Sequence, residues 1–320
     1  MFQGSTSISA VDSLRYHKSA VPAHEKLRGI WGLGEWMGNR KENGMENRTG
    51  EERLITFFHN YPKVAIAFSG GVDSAYLLYA ALKYGKEVRA YYVKSEFQPQ
   101  FELEDALRLA EECGMTICGD DTEKGVEHGE NGETRLAILR VMHLNALSQP
   151  RVRENPENRC YFCKQGIFGA IRKAVREDGY EVLLDGTNAS DDAADRPGMK
   201  ALQELSVLSP LRECGLTKDE IRRLSKEAGL FTWNKPAYAC LATRIPSGEE
   251  ITEEKLRKVE EAESFLFSLG FLDFRVRTDQ GHARIQLRED QWELLSQNRK
   301  EVLNELKKSF KTVSLDLAVR

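Results

Sequence analysis

From residue 53 onwards, short apolar runs alternate with amphipathic segments. Lys63–Phe68 is a continuous β-type run, typical of a strand buried on both faces of a parallel sheet. Asp73–Lys83 follows with apolar residues at helical spacing. The same alternation predicts strands at Glu87–Val93, Met115–Cys118 and Glu181–Leu184, and helices at Glu102–Cys113, Glu133–Leu147 and Cys163–Glu177. This order predicts an α/β fold with a doubly wound parallel sheet.

The pattern changes at both ends of this region. Residues 1–45 have no sustained period and are rich in Gly, Ser, Asn and charge, so we expect a poorly ordered extension. Beyond Pro246 the sequence predicts a helix from Thr252 to Leu269, strands at Asp273–Thr278 and Ala283–Leu287, and a helix at Glu289–Lys308. The predicted domains are therefore the α/β domain at 46–245 and a smaller C-terminal α+β domain at 246–320, serving substrate binding or oligomerisation.

Composition and charge narrow the possible partners. The 320 residues are 41% hydrophobic and 30% charged, as in ordinary globular proteins. With 46 Lys+Arg against 50 Asp+Glu, the net charge of −4 disfavours a protein held on nucleic acid by phosphate neutralisation. The longest apolar run, Ala75–Leu82, is far shorter than the roughly 20 residues of a membrane span, and we find no secretory signal. We expect a cytoplasmic protein with neither a membrane nor a nucleic-acid partner.

The sequence Ser-Gly-Gly-Val-Asp-Ser at 69–74 stands where a predicted strand meets a predicted helix. Glycines let the backbone approach phosphate oxygens, and the helix start offers unpaired N–H groups. The residues expected to form this anion cradle are Ser69, Gly70, Gly71 and Ser74. Asp73 would repel phosphate unless a divalent cation bridges them, so we assign it to Mg²⁺. No Gly-Lys-Ser/Thr follows, which excludes the P-loop; the motif resembles instead the pyrophosphate-loop (PP-loop) ATPases, which transfer AMP from ATP.

Three of the six cysteines stand in a chemically suggestive context. Cys160 and Cys163 form a Cys-x-x-Cys pair at a predicted helix start beside Lys164, and Cys240 lies between two cations, one of them Arg244. Positive charge and a helix N-terminus lower a thiol pKa, so we expect thiolates. The pair fits half a zinc site, a redox disulfide or part of an iron–sulfur ligand set. No second Cys-x-x-Cys or nearby His pair completes a zinc site, whereas three thiolates suit a [4Fe–4S] cluster with one open iron.

Two further segments have the residue types of binding sites. The sequence Asp185, Gly186, Thr187, Asn188 follows a predicted strand, where parallel sheets bind ligands. An acidic solvated loop is the alternative. Arg275 and Arg277 share one face of a predicted strand and could clamp a phosphate, or could form a solvated face.

Together these motifs resemble one family, the LarE-type ATP-dependent sulfur transferases of the PP-loop (adenine nucleotide alpha hydrolase-like) superfamily. The resemblance covers Lys63 to about Leu287. It rests on the order and spacing of 69–74, 159–164, 185–188 with Asp191 and Asp192, 195–198, 209–211, 215–218, 235–237, 239–241, 244–246 and 275–277.

The resemblance implies a small-molecule nucleotide substrate, pyridinium-3,5-dicarboxylate mononucleotide, and a role in making the nickel-pincer nucleotide cofactor of lactate racemase. MgATP would adenylate each ring carboxylate, pyrophosphate would leave, and sulfur would replace the activated oxygen. In single-cysteine members the residue matching Cys240 gives up its own sulfur.

The resemblance also implies that members with three cysteines hold a [4Fe–4S] cluster whose open iron carries an extra sulfide. The resemblance therefore favours Cys160, Cys163 and Cys240 as cluster ligands here, supplied by a cellular sulfide donor. It also implies that Arg275 and Arg277 clamp the substrate phosphate, that Lys164 and Arg244 assist at the site, and that the chain forms a homo-oligomer.

Some positions depart from the family pattern, and other functions stay open. Gln286 stands where members tend to have an acidic residue, and Thr243 and Ser247 replace residues that are often Ser and Tyr. One alternative is another PP-loop enzyme, either an amide-forming synthetase or a tRNA thiolase. The other is a non-catalytic nucleotide-binding or iron–sulfur protein, which would bind ATP or a cluster without releasing pyrophosphate.

Overall fold

Five short strands pair in parallel into one sheet in the computed structural model, which describes residues 48–119, 137–191 and 197–318. The strands are β1 Lys63–Ala67, β2 Glu87–Lys94, β3 Thr116–Cys118, β4 Ala137–His143 and β5 Leu183–Leu184. Their order across the sheet is β3-β4-β2-β1-β5. Strand β1 therefore has β2, β4 and β3 on one side and β5 on the other. The predicted doubly wound α/β fold is confirmed.

Helices connect the strands and cover the sheet. The first seven are α1 Gly50–Asn60, α2 Val72–Tyr84, α3 Gln100–Glu112, α4 Pro150–Arg153, α5 Arg159–Glu177, α6 Pro197–Glu204 and α7 Pro210–Glu213. They are followed by α8 Lys218–Glu227, α9 Glu253–Ser268 and α10 Trp292–Leu306. Among the described helices, none combines the length and apolar character needed to cross a bilayer.

One predicted element is wrong. The described part of Glu133–Leu147 contains no long helix, because Ala137–His143 is strand β4, paired with β2 on one side and β3 on the other. Ile138, Leu139 and Val141 are buried there. A short apolar run of this kind suits a buried strand or a buried helix equally, and the neighbouring strands decide between them.

The C-terminal part has its own smaller sheet. Strands β6 Arg275–Asp279 and β7 His282–Gln286 are antiparallel, and β8 Val313–Leu315, which the sequence pattern did not predict, runs parallel to β7. Its core contains Leu266, Phe274, Val276, Ile285 and Leu306. The predicted smaller α+β part is therefore confirmed.

Helix α9 links this part to the segment that carries Cys240. Leu256 and Val259 of α9 pack with Phe97, Leu241 and Ile245 in a separate core. Thr252 caps the start of this helix, as predicted, because its hydroxyl accepts the Lys255 N–H at 3.3 Å. The boundaries at residues 45 and 245 stay predictions, and the expected extension at 1–45 lies outside the described residues.

Candidate functional site

The PP loop, residues 69–74, turns sharply between β1 and α2. Gly70 has φ +72°, a left-handed conformation that favours glycine. The Ser74 hydroxyl accepts the Ser69 N–H at 3.3 Å and donates to Gly71 O at 3.1 Å, which fixes the shape of the loop. Within the described part of the chain, no side chain caps the start of α2, so its first N–H groups remain available to an anion.

The loop at 185–188 packs directly against the PP loop. A Cβ atom on Gly186 would lie 2.9 Å from Ser74 N, so only glycine permits this approach. Asp185 is buried and accepts hydrogen bonds from the Ser209 hydroxyl at 2.6 Å and the Thr187 hydroxyl at 2.5 Å. Asn188 is also buried, and its side-chain oxygen accepts the N–H of the serine two residues on. The structure thus brings the two predicted loops together, with Asp185 holding the shape of its own loop.

Asp73 is the acidic residue of the PP loop. Its Oδ2 accepts a hydrogen bond from Lys218 Nζ at 2.6 Å, whereas its buried Oδ1 has no hydrogen-bond partner in the described structure. Burial raises the pKa of Asp73; Lys218 and the Asn188 side chain oppose this effect, and the charge of Asp191 adds to it. A buried, unpartnered carboxylate oxygen fits a hard cation such as Mg²⁺. No described group of three or more His, Cys, Asp or Glu could hold a metal ion, so nucleotide phosphates and water would supply the other ligands.

Two lysines that the sequence analysis did not assign to the site reach the PP loop from distant segments. Lys218 is the first residue of α8. Lys235 donates to Gly70 O at 3.3 Å and forms an ion pair with Asp105 at 2.7 Å. Both lysines lie in segments that carry the family resemblance, and Lys235 is also one of the two cations that flank Cys240 in the sequence. They supply the positive charge that the PP loop itself lacks.

Glu102, on the first turn of α3, is another residue near the loop that the sequence did not identify. Its carbonyl oxygen would lie 3.2 Å from a Cβ on Gly70. Burial raises the pKa of its carboxyl to about 7, while the positive charges of Lys235 and Arg244 act in the opposite direction. Glu102 therefore titrates near neutral pH beside the loop.

Cys160, Cys163 and Cys240 lie within electrostatic reach of one another. Burial, followed by the charge that Cys240 would carry, raises the pKa of Cys163 to about 12. Burial also raises the pKa of Cys240, and Cys160 adds to that increase although Arg159 opposes it. The expected low pKa is therefore wrong for Cys163 and Cys240, because desolvation outweighs the nearby cations.

The position of the Cys-x-x-Cys pair also differs from the prediction. Helix α5 begins at Arg159, so Cys160 and Cys163 lie within its first turns. Cys160 is exposed, whereas Cys163 and Cys240 are partly buried against an apolar core. The cysteines are brought together, but they do not form a ready-made site for a metal ion among the described residues.

Arg244, predicted to be catalytic, is buried and paired with Glu263. The guanidinium donates to the two carboxylate oxygens at 2.8 and 3.0 Å, and both side chains are at most 2% exposed. A third nitrogen donates to Ala239 O and to the Thr243 hydroxyl, each at 2.8 Å. Thr243 in turn donates to Cys240 O at 2.8 Å. Arg244 thus braces the loop that carries Cys240, and Thr243 supplies a hydroxyl where members often have serine; the catalytic role stays a prediction.

Arg275 and Arg277 contact this same loop. Arg275 donates to Ala237 O at 2.5 Å, and Arg277 donates to Thr243 O at 2.6 Å. Arg277 also donates to Gln286 Oε1 at 2.6 Å. The two guanidiniums therefore line the loop from the C-terminal sheet, and the phosphate clamp stays a prediction.

Gln286 provides a hydrogen-bond acceptor, its amide oxygen, where family members tend to have a carboxylate. Its oxygen accepts from Arg277, and its amide nitrogen donates to Asp316 Oδ2 at 2.8 Å. The amide thus connects Arg277 to a carboxylate one strand away, on the segment that follows β8.

Lys164 lies over the start of α6. A Cβ on Gly198 would fall 2.7 Å from Lys164 Cδ, so the lysine stem rests against this glycine. Asp192 and Asp195, which carry part of the family resemblance, lie outside the described residues. The role predicted for Lys164 stays a prediction.

Comparison with known proteins identifies the family. No protein-family profile matches the chain. It is 36% identical over 274 residues to an uncharacterised protein of Synechocystis, covering 83% of this chain and 92% of that one. It is 27% identical over 200 residues to the tRNA-specific 2-thiouridylase MnmA of Thermotoga, 54% of each chain.

A third relative is named as a synthase of a small mononucleotide. The chain is 31% identical over 243 residues to pyridinium-3,5-bisthiocarboxylic acid mononucleotide synthase of Lactiplantibacillus plantarum, covering 75% of this chain and 80% of that protein. This match has the length and identity expected of one family, and it confirms the resemblance that the motifs predict. The chain belongs to the LarE-type ATP-dependent sulfur transferases of the PP-loop superfamily.

Proposed function

We propose that this protein adenylates the carboxylates of pyridinium-3,5-dicarboxylate mononucleotide and converts them to thiocarboxylates. The name of the Lactiplantibacillus relative supports this substrate. The main structural support for the proposal is that residues 235–244 run from the PP loop to Cys240. Lys235 bonds to the PP loop at one end of this segment, and Cys240 lies only five residues further on. One short segment thus couples the site of adenylation to the site of sulfur transfer.

The first step takes place at the PP loop. A ring carboxylate oxygen attacks the α-phosphorus of ATP, the bond to the bridging oxygen breaks, and pyrophosphate leaves with that electron pair. The N–H groups at the start of α2 bind phosphate oxygens, and Lys218 and Lys235 offset their charge. A magnesium ion on Asp73 would stabilise negative charge on the leaving group.

The second step replaces oxygen by sulfur. A sulfur nucleophile attacks the acyl carbon, the bond between that carbon and the AMP oxygen breaks, and AMP leaves. Arg244 and Thr243 hold the Cys240 loop in position, while Arg275 and Arg277 approach it from β6. Cys160, Cys163 and Cys240 would hold a [4Fe–4S] cluster that supplies sulfide. Otherwise the Cys240 thiolate attacks the acyl carbon, its Cβ–S bond then breaks with loss of the Cα proton, and dehydroalanine is left at position 240.

The neutral thiols do not contradict a cluster. Burial disfavours a free thiolate at Cys163 and Cys240, but a metal ion takes the place of the proton when it binds. Each of the three thiols is electrostatically coupled to the others, which supports shared ligation. A cellular sulfide donor and a homo-oligomeric assembly stay expectations.

Two measurements test the proposal. Wild type and the Asp73→Asn variant are assayed for pyrophosphate release with ATP and the dicarboxylate substrate. We expect release by wild type and loss of release, with an unchanged circular dichroism spectrum, in the variant. Undiminished release by Asp73→Asn would contradict the assignment of the PP loop. Substitution of an in vitro tRNA transcript for the small substrate separates this function from tRNA thiolation.

The sulfur source needs a separate experiment. Protein is purified without oxygen, and iron, sulfide and visible absorbance are measured for wild type, Cys160→Ala and Cys118→Ala. Cys118 lies on β3 and serves as the control. A cluster predicts iron in wild type and Cys118→Ala and its loss from Cys160→Ala. Iron near zero in all three would remove the cluster and leave Cys240 as the sulfur donor.

A further inference from the structure

The ion pair between Lys218 and Asp73 occupies the position where a divalent cation would bind. Lys218 Nζ lies 2.6 Å from Asp73 Oδ2, and the two side chains are 31% and 21% exposed. This contact joins residues that are 145 positions apart in the chain. A divalent cation on Oδ1 and the ammonium on Oδ2 would repel each other across one carboxylate, so the two compete for the negative charge of Asp73.

The backbone of Lys218 is held in place beside the 185–191 loop. Its N–H donates to the Ser190 hydroxyl at 3.0 Å, and Thr217 caps the start of α8 in a capping box with Glu220. The side chain can therefore leave Asp73 without any movement of the helix. The long, flexible lysine stem provides the range of motion.

The negative charge around Asp73 exceeds what one ammonium neutralises. Asp191 lies close enough to raise the pKa of Asp73, and its carboxylate accepts the Asn188 N–H at 3.1 Å. Asp73 Oδ1 remains buried without a hydrogen-bond partner in the described structure. A divalent cation would match this charge better than a single ammonium does.

We propose that Lys218 is a positioning residue that holds Asp73 until a divalent cation displaces it. The displaced ammonium then lies beside the cradle, where nucleotide phosphates bind. This inference rests on the proposed function, because it takes Asp73 as the residue that binds the metal. No covalent bond changes; Asp73 exchanges one cation for another.

The energetics permit the exchange. Partly exposed ion pairs contribute about 1 kcal/mol or less, which corresponds to about fivefold in an equilibrium constant. Removing the ammonium should therefore strengthen cation binding by up to about fivefold. The chain offers a matched control in Lys255, which pairs with Glu249 at 2.8 Å with the same side-chain exposures, 31% and 21%, far from the PP loop in sequence.

The test measures Mn²⁺ binding to the metal-free full-length protein without nucleotide. Free Mn²⁺ is followed by its electron paramagnetic resonance signal in wild type, Lys218→Met, Lys218→Arg and Lys255→Met. We expect Lys218→Met to bind Mn²⁺ more tightly than wild type, by up to about fivefold. Lys218→Arg, which keeps the positive charge, and Lys255→Met should not bind more tightly than wild type.

A further variant identifies the ligand. Lys218→Met combined with Asp73→Asn should lose the gain in affinity, while circular dichroism verifies the fold of each variant. Equal or weaker Mn²⁺ binding by folded Lys218→Met, or no binding by any variant, would overturn the inference. Pyrophosphate release by wild type is measured separately, so a failure of the proposed function is distinguished from a failure of this exchange.

Discussion

Glu102 should make the stability of this protein depend on pH around neutrality. Burial raises the pKa of its carboxyl from the usual 4.5 to about 7, against the positive charges of Lys235, Arg244 and Lys94, with Asp105 adding to the increase. Glu102→Gln retains the shape of the neutral acid and removes its titration. The comparison of this variant with wild type isolates the effect of a single partly buried carboxyl group.

The sign follows from proton binding. Between pH 4.5 and 7 the folded protein keeps the Glu102 proton that the unfolded chain has lost. The free energy of unfolding of wild type therefore falls as pH rises through this window and levels off above pH 7. The difference between the two pKa values corresponds to about 3 kcal/mol. Glu102→Gln should match wild type near pH 4 and exceed it by up to about 3 kcal/mol at pH 8.

Urea unfolding at several pH values, followed by tryptophan fluorescence, measures this difference. The exposed Glu104 on the same helix provides the control, because Glu104→Gln should follow the wild-type profile. A difference between Glu102→Gln and wild type that does not change with pH would refute the reasoning. So would a variant that is less stable than wild type at pH 8.

Two further perturbations test the packing of the site. Glu263→Gln should lower the free energy of unfolding by about 3–5 kcal/mol, because Arg244 would keep its charge in a buried position. A variant whose free energy of unfolding in urea equals that of wild type would contradict this. Gly186→Ala should reduce ATP-dependent pyrophosphate release about tenfold or more, since its Cβ would press on Ser74 N and overpacking typically costs about 1–3 kcal/mol. Gly169→Ala, where a Cβ has no neighbour within 4 Å, should release pyrophosphate like wild type.

Desolvation explains why the low pKa values predicted for Cys163 and Cys240 are wrong. The flanking cations of Cys240 and the helix start at Cys160 are visible in the sequence, and each lowers a thiol pKa. The amount of apolar packing around Cys163 and Cys240 is not visible, and this packing raises both values. Strand β4 shows the same limit, because its apolar run acquires a strand conformation from its two neighbours.

The fold class and the PP loop could both be predicted from the amino-acid sequence. A buried strand, two glycines and a helix start are contiguous, so local patterns suffice to place the Ser69–Ser74 loop. Which residues contact that loop depends on the tertiary structure. Lys218 and Lys235 contact it from 145 and 165 residues away, and Gly186 packs against Ser74 across the sheet edge. Such contacts depend on how distant elements pack, and no spacing rule along the chain encodes them.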